Sequence, residues 1–407
     1  KKVGFFFVAH MLIIRTSTCL LQSGSIAAMS PSPDAVGTLS LDEVRRLPKV
    51  ELHAHLSGSI TQEKLMELLE RRGEGGSFKP FNFQNDSSNA LQKCFGYFAK
   101  VASVVVDLPT LKECTLHVLD TFAVENCIYL ELRTSPKQFK VTNGSEQSTS
   151  KLQYLETVKD AIEEFHTKAL ERYGFVMEVK VLLSIDRGKV TDKDSALAQI
   201  DDVLMLQKEY PDLVVGIDIC GDPHQPTVTP YLLPALKERK EAFQKLPITF
   251  HTAEIHDDEE SALIIDSMKE LNVRRLGHVT YLPDHLRQRV LDGIYEEAGV
   301  GVEVCPTSNM VTKEISSLQE HHFLDWWKKS DKVLLSINTD DVGLFSCDLS
   351  SEIFDLAQAF NLSRDDLIDI QRQAISSAFH LDKERVRNLF EKMLSSCTQD
   401  GKRQRLS

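Results

Sequence analysis

His53 and His55 close an apolar run, Val50-Glu51-Leu52-His53-Ala54-His55. In an extended strand, residues two apart share a face, so both imidazoles project from one surface, an arrangement that suits a divalent metal. Further polar residues follow other apolar runs in the same way. His251 and Glu254 lie in Ile248-Thr249-Phe250-His251-Thr252-Ala253-Glu254, and His278 ends Arg275-Leu276-Gly277-His278. Asp340 and Asp341 end Ser336-Ile337-Asn338-Thr339-Asp340-Asp341. Three histidines and one carboxylate, His53, His55, His251 and Asp340, suit one zinc ion with a position left for water. Such an ion brings the ionisation of a bound water near neutral pH and makes a nucleophile of it. Hydrolysis at an electron-poor carbon also needs a proton donor, for which Glu254 stands three residues beyond His251. His278 is placed to orient the nucleophile and stabilise developing charge. Asp341 is left free to hydrogen-bond a substrate.

The elements that must hold these residues are eight candidate strands, at 50–55, 127–134, 175–185, 213–219, 248–251, 275–278, 301–304 and 333–338. Several are continuous apolar runs rather than alternations, as expected of parallel strands covered on both faces. Helical stripes separate or follow them: Ile264, Met268 and Leu271; Ile353, Leu356, Ala357 and Phe360; Val386, Leu389, Phe390, Met393 and Leu394. This βα alternation predicts an α/β fold, a TIM (β/α)₈ barrel with extra helices, whose active sites lie at the C-terminal ends of the strands. No G-x-G-x-x-G follows any strand, which disfavours a dinucleotide-binding sheet.

The boundaries expected are a disordered, targeting or artefactual segment at 1–40, a metal-dependent barrel at 41–396 and a flexible tail at 397–407. Residues 82–89 and 141–150 are polar and read as loops. The chain has 407 residues and a net charge of −13, a poor match to duplex nucleic acid, which needs a basic face. No apolar run is long enough to span a membrane. The eight cysteines form no C-x-x-C pair and read as free thiols of a reducing, cytoplasmic compartment.

The motifs Leu52-His53-Ala54-His55-Leu56-Ser57-Gly58-Ser59, His251-Thr252-Ala253-Glu254, Leu276-Gly277-His278 and Asn338-Thr339-Asp340-Asp341 resemble, in order, those of the adenosine/AMP deaminase family of zinc barrel enzymes. The resemblance implies zinc on His53, His55, His251 and Asp340, with His55 also at the substrate. It further implies protonation of purine N1 by Glu254, assistance from His278, a contact of Asp341 with N7, and a backbone contact from Gly221. Within the family, Tyr129-Leu130-Glu131-Leu132-Arg133-Thr134-Ser135-Pro136-Lys137, Leu183-Ser184-Ile185-Asp186-Arg187 and Cys305-Pro306-Thr307-Ser308-Asn309 resemble the adenosine deaminase-like branch, which removes the alkylamine of N6-methyl-AMP. That branch implies Ser57, Thr134, Ser135, Pro136, Lys137 and Asp186 as substrate-binding residues. Ser57 carries no anion to repel a 5′-phosphate, and Lys137 with two hydroxyls offers it contacts. Two positions depart from the branch: Ser57 replaces its usual asparagine, and Ala102 aligns with its substrate-contacting histidine. The expected protein is a monomeric hydrolase of a small purine nucleotide, binding neither nucleic acid nor membrane. The alternatives are a nucleoside deaminase forming inosine and ammonia, and an inactive nucleotide-binding barrel.

Overall fold

Eight strands form where the apolar runs lie: β1 Lys49–His55, β2 Cys127–Thr134, β3 Glu178–Asp186, β4 Val214–Cys220, β5 Ile248–Thr252, β6 Val273–His278, β7 Val300–Val304 and β8 Val333–Ile337. The computed structural model describes residues 39–83, 90–140, 147–296, 298–312, 315–380 and 382–404. The strands pair in chain order, every pair parallel. Parallel neighbours need long crossovers, which the helices supply. Closure comes from the residue beyond β8: Asp340 N–H donates to the His53 carbonyl at 2.8 Å, and His55 N–H donates to the Asp340 carbonyl at 3.0 Å. The sheet is therefore the expected (β/α)₈ barrel.

Strand positions agree with the apolar pattern to within a few residues. The third begins later than expected because Phe175 and Met177 are buried without joining the ladder. It ends on a charged residue, Asp186, because that residue still pairs with Cys220. The helix Asp258–Leu271 illustrates the outer layer. Asp257 caps it by accepting from Glu260 N–H, and Asp258, Glu259 and Glu260 favour its positive end. Asn272, at φ +56°, ends it, and Ile264, Met268 and Leu271 form its buried stripe. Helix Leu349–Phe360 buries Ile353, Leu356 and Ala357 in the same manner.

The extra helices Gln62–Arg71, Ala90–Val104 and Leu108–Val124 lie between β1 and β2. Ala90–Val104 turns Cys94, Tyr97, Val101 and Val104 inward, whereas Ala102 faces solvent. Tyr97, unlike Ala102, points inward, its hydroxyl bonded to the Ile60 carbonyl.

Ser40 caps helix Leu41–Arg46. Residues 1–38 lie outside the described residues, as do 84–89 and 141–146, most of the segments 82–89 and 141–150 read as loops. The last helix, Lys383–Gln404, runs past the tail boundary expected at 397, since no proline interrupts it there. Among the described residues, Cys94, Cys114, Cys127, Cys220, Cys305, Cys347 and Cys397 form no disulfide. Among the described residues no helix is long and apolar enough to cross a membrane.

Candidate active site

Strand alternation turns Glu51, His53 and His55 of β1 into the barrel, where charged residues of β2, β4, β6 and β7 meet them. Arg133 donates to Asp218 Oδ1 at 2.9 Å and pairs with Glu303. Arg275 joins Glu303 at 2.6 Å and Glu131 at 2.6 Å. All five side chains are fully buried, so each charge requires its partner. Burial would raise the Glu303 carboxyl, but Arg133 and Arg275 hold it well below the usual carboxylate range. Arg133 and His251 do the same for Asp218.

This ionic floor orients the histidines above it. His53 Nδ1 donates to Glu303 at 2.7 Å, and His251 Nδ1 donates to the Ile219 carbonyl at 2.9 Å and lies 3.1 Å from Asp218. A carbonyl and a carboxylate only accept, so both Nδ1 atoms carry hydrogen, and each ring in its neutral form presents the Nε2 lone pair. Those Nε2 atoms are 3.1 Å apart, and His55 Nε2 lies 3.3 Å from His251 Nε2. Asp340 Oδ1 stands 3.4 Å from His53 Nε2 and 3.5 Å from His55 Nε2. Lone pairs at these separations repel unless a positive charge lies among them. Four ligands at ~2.0–2.1 Å in a tetrahedron stand about 3.3 Å apart, the spacing found here. The donor set therefore fits a divalent cation. The same demand for positive charge shows in His53. Burial and Arg133 push its pKa down, but Asp340 and Glu303 outweigh them and leave it at about 9. His55 is driven by burial down to about 3, leaving a neutral imidazole. Ser308 Oγ donates to the other Asp340 oxygen at 2.7 Å and fixes the carboxylate's rotation.

His278 approaches this group closely. Its donor atom, with those of His53, His251 and Asp340, falls in a cluster no more than 4.8 Å across. Its Nε2 is 3.9 Å from Asp340 and 3.9 Å from Glu254, which brings the expected acid to the same rim. Asp341 is buried, and its Oδ1 has no hydrogen-bond partner. Burial and then Asp340 raise its carboxyl well above the ordinary range, which favours the protonated form over the carboxylate. Backbone strain concentrates here: Ala253, His278, Val279 and Asp340 all have φ between +49° and +63°. Each such residue costs on the order of 1–3 kcal/mol.

The expected substrate-binding residues are only partly assembled. Gly221, at φ +106°, lies against Asp186, and a Cβ there would come 2.3 Å from Asp186 Oδ1. Ser57 is exposed on the turn after β1. Lys137 is half-buried with Nζ 5.4 Å from the Phe139 ring centre, and Ser135 Oγ is 3.4 Å from the Ser184 carbonyl. Pro136 lies half-buried between them. Thr134 follows inward-facing Arg133 and so points into the helical layer, its hydroxyl 2.8 Å from that of Tyr154.

Sequence patterns missed the floor beneath the site, and they gave no role to Ser308, Asn309 and Arg187, which stood only as parts of motifs. Arg187 is buried, donates to the His251 carbonyl at 2.8 Å and pairs with Glu260 at 3.1 Å. One signal was available. Glu303, Asp218 and Arg133 each sit inside an otherwise apolar strand, where a charge implies a buried partner.

A family model described as adenosine deaminase matches residues 48–396. The N6-mAMP deaminase of Arabidopsis thaliana is 32% identical over 368 residues, covering 86% of this chain and 98% of that protein. The adenosine deaminase-like protein of Drosophila pseudoobscura pseudoobscura is 33% identical, covering 84% of this chain and 94% of that protein. A crystal structure of Arabidopsis ADAL complexed with IMP superposes with a TM-score of 0.67 at 32% identity, covering 86% of this chain and 97% of that one.

Proposed function

Since the chain belongs to the adenosine deaminase family, we propose that it hydrolyses N6-methyl-AMP to IMP and methylamine, with one zinc ion per chain held by His53, His55, His251 and Asp340. One observation carries the chemistry: the lone pairs of His53 and His251, with Asp340, converge on a point that needs positive charge, beside Glu254, His278 and the partnerless oxygen of Asp341. A cation there supplies Lewis acidity and brings the ionisation of a bound water toward neutral pH.

The chain's own groups do the rest. Asp341 donates to the acceptor nitrogen N7 and fixes the ring, with the Gly221 backbone alongside. Water oxygen adds at C6 while Glu254 delivers its proton to N1, and the carboxylate so formed takes up one proton of the water. Breaking the bond from C6 to the exocyclic nitrogen then expels the amine, which leaves with the water's second proton as the C6 carbonyl forms. The methylated substrate is supported by the Arabidopsis relative that carries that activity in its name, and the monophosphate by IMP in the related structure. Lys137, Ser135, Pro136 and Asp186 form the phosphate and ribose end in this proposal, and Ser57 adds no anion to repel the phosphate. The absence of disulfides among the described cysteines supports a cytoplasmic location and the net charge of −13 a protein that binds no nucleic acid; that it is a monomer completes the proposal.

A second reading, a nucleoside deaminase, is favoured by the Thr134 hydroxyl being engaged by Tyr154 rather than turned to a phosphate. A panel of adenosine, AMP, N6-methyladenosine and N6-methyl-AMP, with methylamine and ammonia quantified, separates the two. N6-methyl-AMP should be turned over best. A charge-assisted contact contributes about 1.5–3 kcal/mol, so Lys137→Ala should cost roughly tenfold to a hundredfold with the monophosphates and little with the nucleosides. Equal turnover of adenosine and AMP, unaffected by Lys137→Ala, would establish the nucleoside reading instead.

A further inference from the structure

The hydrogen bonds around His278 form a chain whose direction is set at both anchored points. Asn309 lies in the helix Pro306–Thr312 directly after β7, and Asn309, His321 and His278 are all buried. The backbone N–H of Cys305 points at Asn309 Oδ1, 3.3 Å away. The backbone N–H of Phe323 donates to His321 Nδ1 at 3.1 Å. Backbone amides only donate, so Asn309 Oδ1 and His321 Nδ1 are acceptors. A neutral imidazole that accepts at one nitrogen carries its hydrogen on the other. Burial drives His321 down to about 2, so its ring is neutral and Nε2 bears the hydrogen. That Nε2 lies 3.2 Å from Asn309 Oδ1, where it completes the oxygen's second bond.

With the amide's oxygen side taken, its nitrogen must face His278, and Asn309 Nδ2 is 3.0 Å from His278 Nδ1. An amide NH₂ only donates, so His278 Nδ1 is an acceptor and the ring hydrogen sits on Nε2. This is the nitrogen 3.9 Å from both Glu254 and Asp340. The ring cannot escape the constraint by shifting, because His322 Nε2 donates to the His278 carbonyl at 2.7 Å and holds the residue in its left-handed conformation, φ +63°.

We propose that Asn309 is a positioning residue that fixes the tautomer of His278, so that His278 presents an N–H, not a lone pair, to the reacting centre, with His321 holding the amide the right way round. Resting on the deaminase assignment above, this makes His278 a hydrogen-bond donor to the attacking oxygen and not its base. It also sets His278 apart from the metal ligands, since a protonated Nε2 has no lone pair to offer, and leaves that place to His55.

Two-bond proton–nitrogen correlation spectra of the full chain with isotope-labelled histidine read the tautomer directly, the His278 signals being identified by their loss in His278→Gln. The unaltered protein should show hydrogen on Nε2; hydrogen on Nδ1 would overturn the proposal without any variant. Asn309→Asp keeps the shape but places an acceptor against Nδ1. It should move the hydrogen to Nδ1 and lower kcat on the order of 10²-fold or more, with KM little changed and metal content retained by elemental analysis. His321→Gln, whose amide can still donate to Asn309, should keep the Nε2–H pattern and most of the kcat. An unchanged tautomer and kcat in Asn309→Asp would also overturn it. Absence of turnover on the whole substrate panel, with the Nε2–H tautomer intact, would fault the deaminase assignment and leave the relay standing.

Discussion

Gly58 and Asp341 show how the site depends on a missing atom. The Gly58 carbonyl accepts from Gly343 N–H at 2.9 Å and Leu344 N–H at 3.1 Å, which presses the turn after β1 against the residues beyond β8. A Cβ at Gly58 would lie 1.5 Å from Asp341 Oδ1, the oxygen left without a partner. Nothing larger than hydrogen fits unless Asp341 moves. Displacement of a positioning group by about 1 Å can cost 10²-fold in rate. Gly58→Ala should therefore lower kcat/KM on the order of 10²-fold while His53, His55, His251 and Asp340 keep their metal. Elemental analysis beside steady-state kinetics checks both halves, and normal kcat/KM would show that Asp341 does not hold the substrate.

Among the elements, the short helix Pro306–Thr312 serves the site most directly. Its first turns carry Ser308 to Asp340 and Asn309 to His278. Its Thr307 N–H is bonded at 2.9 Å by Glu352 of helix Leu349–Phe360, a residue 2% exposed. Burial pushes Glu352 up to about 7, against bonds from Thr307 that pull it down. The folded state therefore keeps a proton that the unfolded chain releases near pH 4.5. Stability should fall as pH rises from about 4.5 to 7, by at most about 3 kcal/mol, and level off above. Glu352→Gln keeps the acceptor for Thr307 and removes the titration. Its stability relative to the unaltered protein should rise across that window in urea denaturation, and a pH-independent difference would refute the assignment. The strands and the polar residues they end in were legible because continuous apolar runs stop at His55, His251, His278 and Asp340. Glu303, Asp218, Arg133 and Arg275 were not, because their partners lie on other strands and meet only when the barrel closes. Asn309 was legible as part of Cys305-Pro306-Thr307-Ser308-Asn309, but its direction of bonding depends on Phe323 and His321, which no local pattern links to it.

At the scale of the molecule, seven seams of the barrel are backbone ladders, with register shifts in β1–β2, β3–β4 and β5–β6, whereas among the described residues β1 meets the β8 side through the bridge Ala54–Asp340. Side chains stand in for the missing ladder. Asn338 accepts from Leu52 N–H at 3.1 Å, Gln371 accepts from Val50 N–H at 2.8 Å, and Glu51 accepts from Thr339 N–H at 2.9 Å. The proposed metal ligands straddle this same seam, His53 and His55 on one side and Asp340 on the other. A cation bound there joins the first strand to the last and so closes the barrel as well as serving the chemistry. A ligand present at a thousand times its Kd stabilises the folded state by about 4 kcal/mol, which for a domain of this size is roughly 5–10 °C in Tm. Chelation should lower Tm by that order. Amide exchange should then accelerate in β1 and at 338–341 well before it does in the β3–β4 ladder, where no ligand crosses. Mass-resolved exchange on protein shown by elemental analysis to be metal-free decides the matter. Equal acceleration at every seam, or an unchanged Tm, would mean that the β1–β8 seam is held by Asn338, Gln371 and Glu51 alone and that the metal acts only on the substrate.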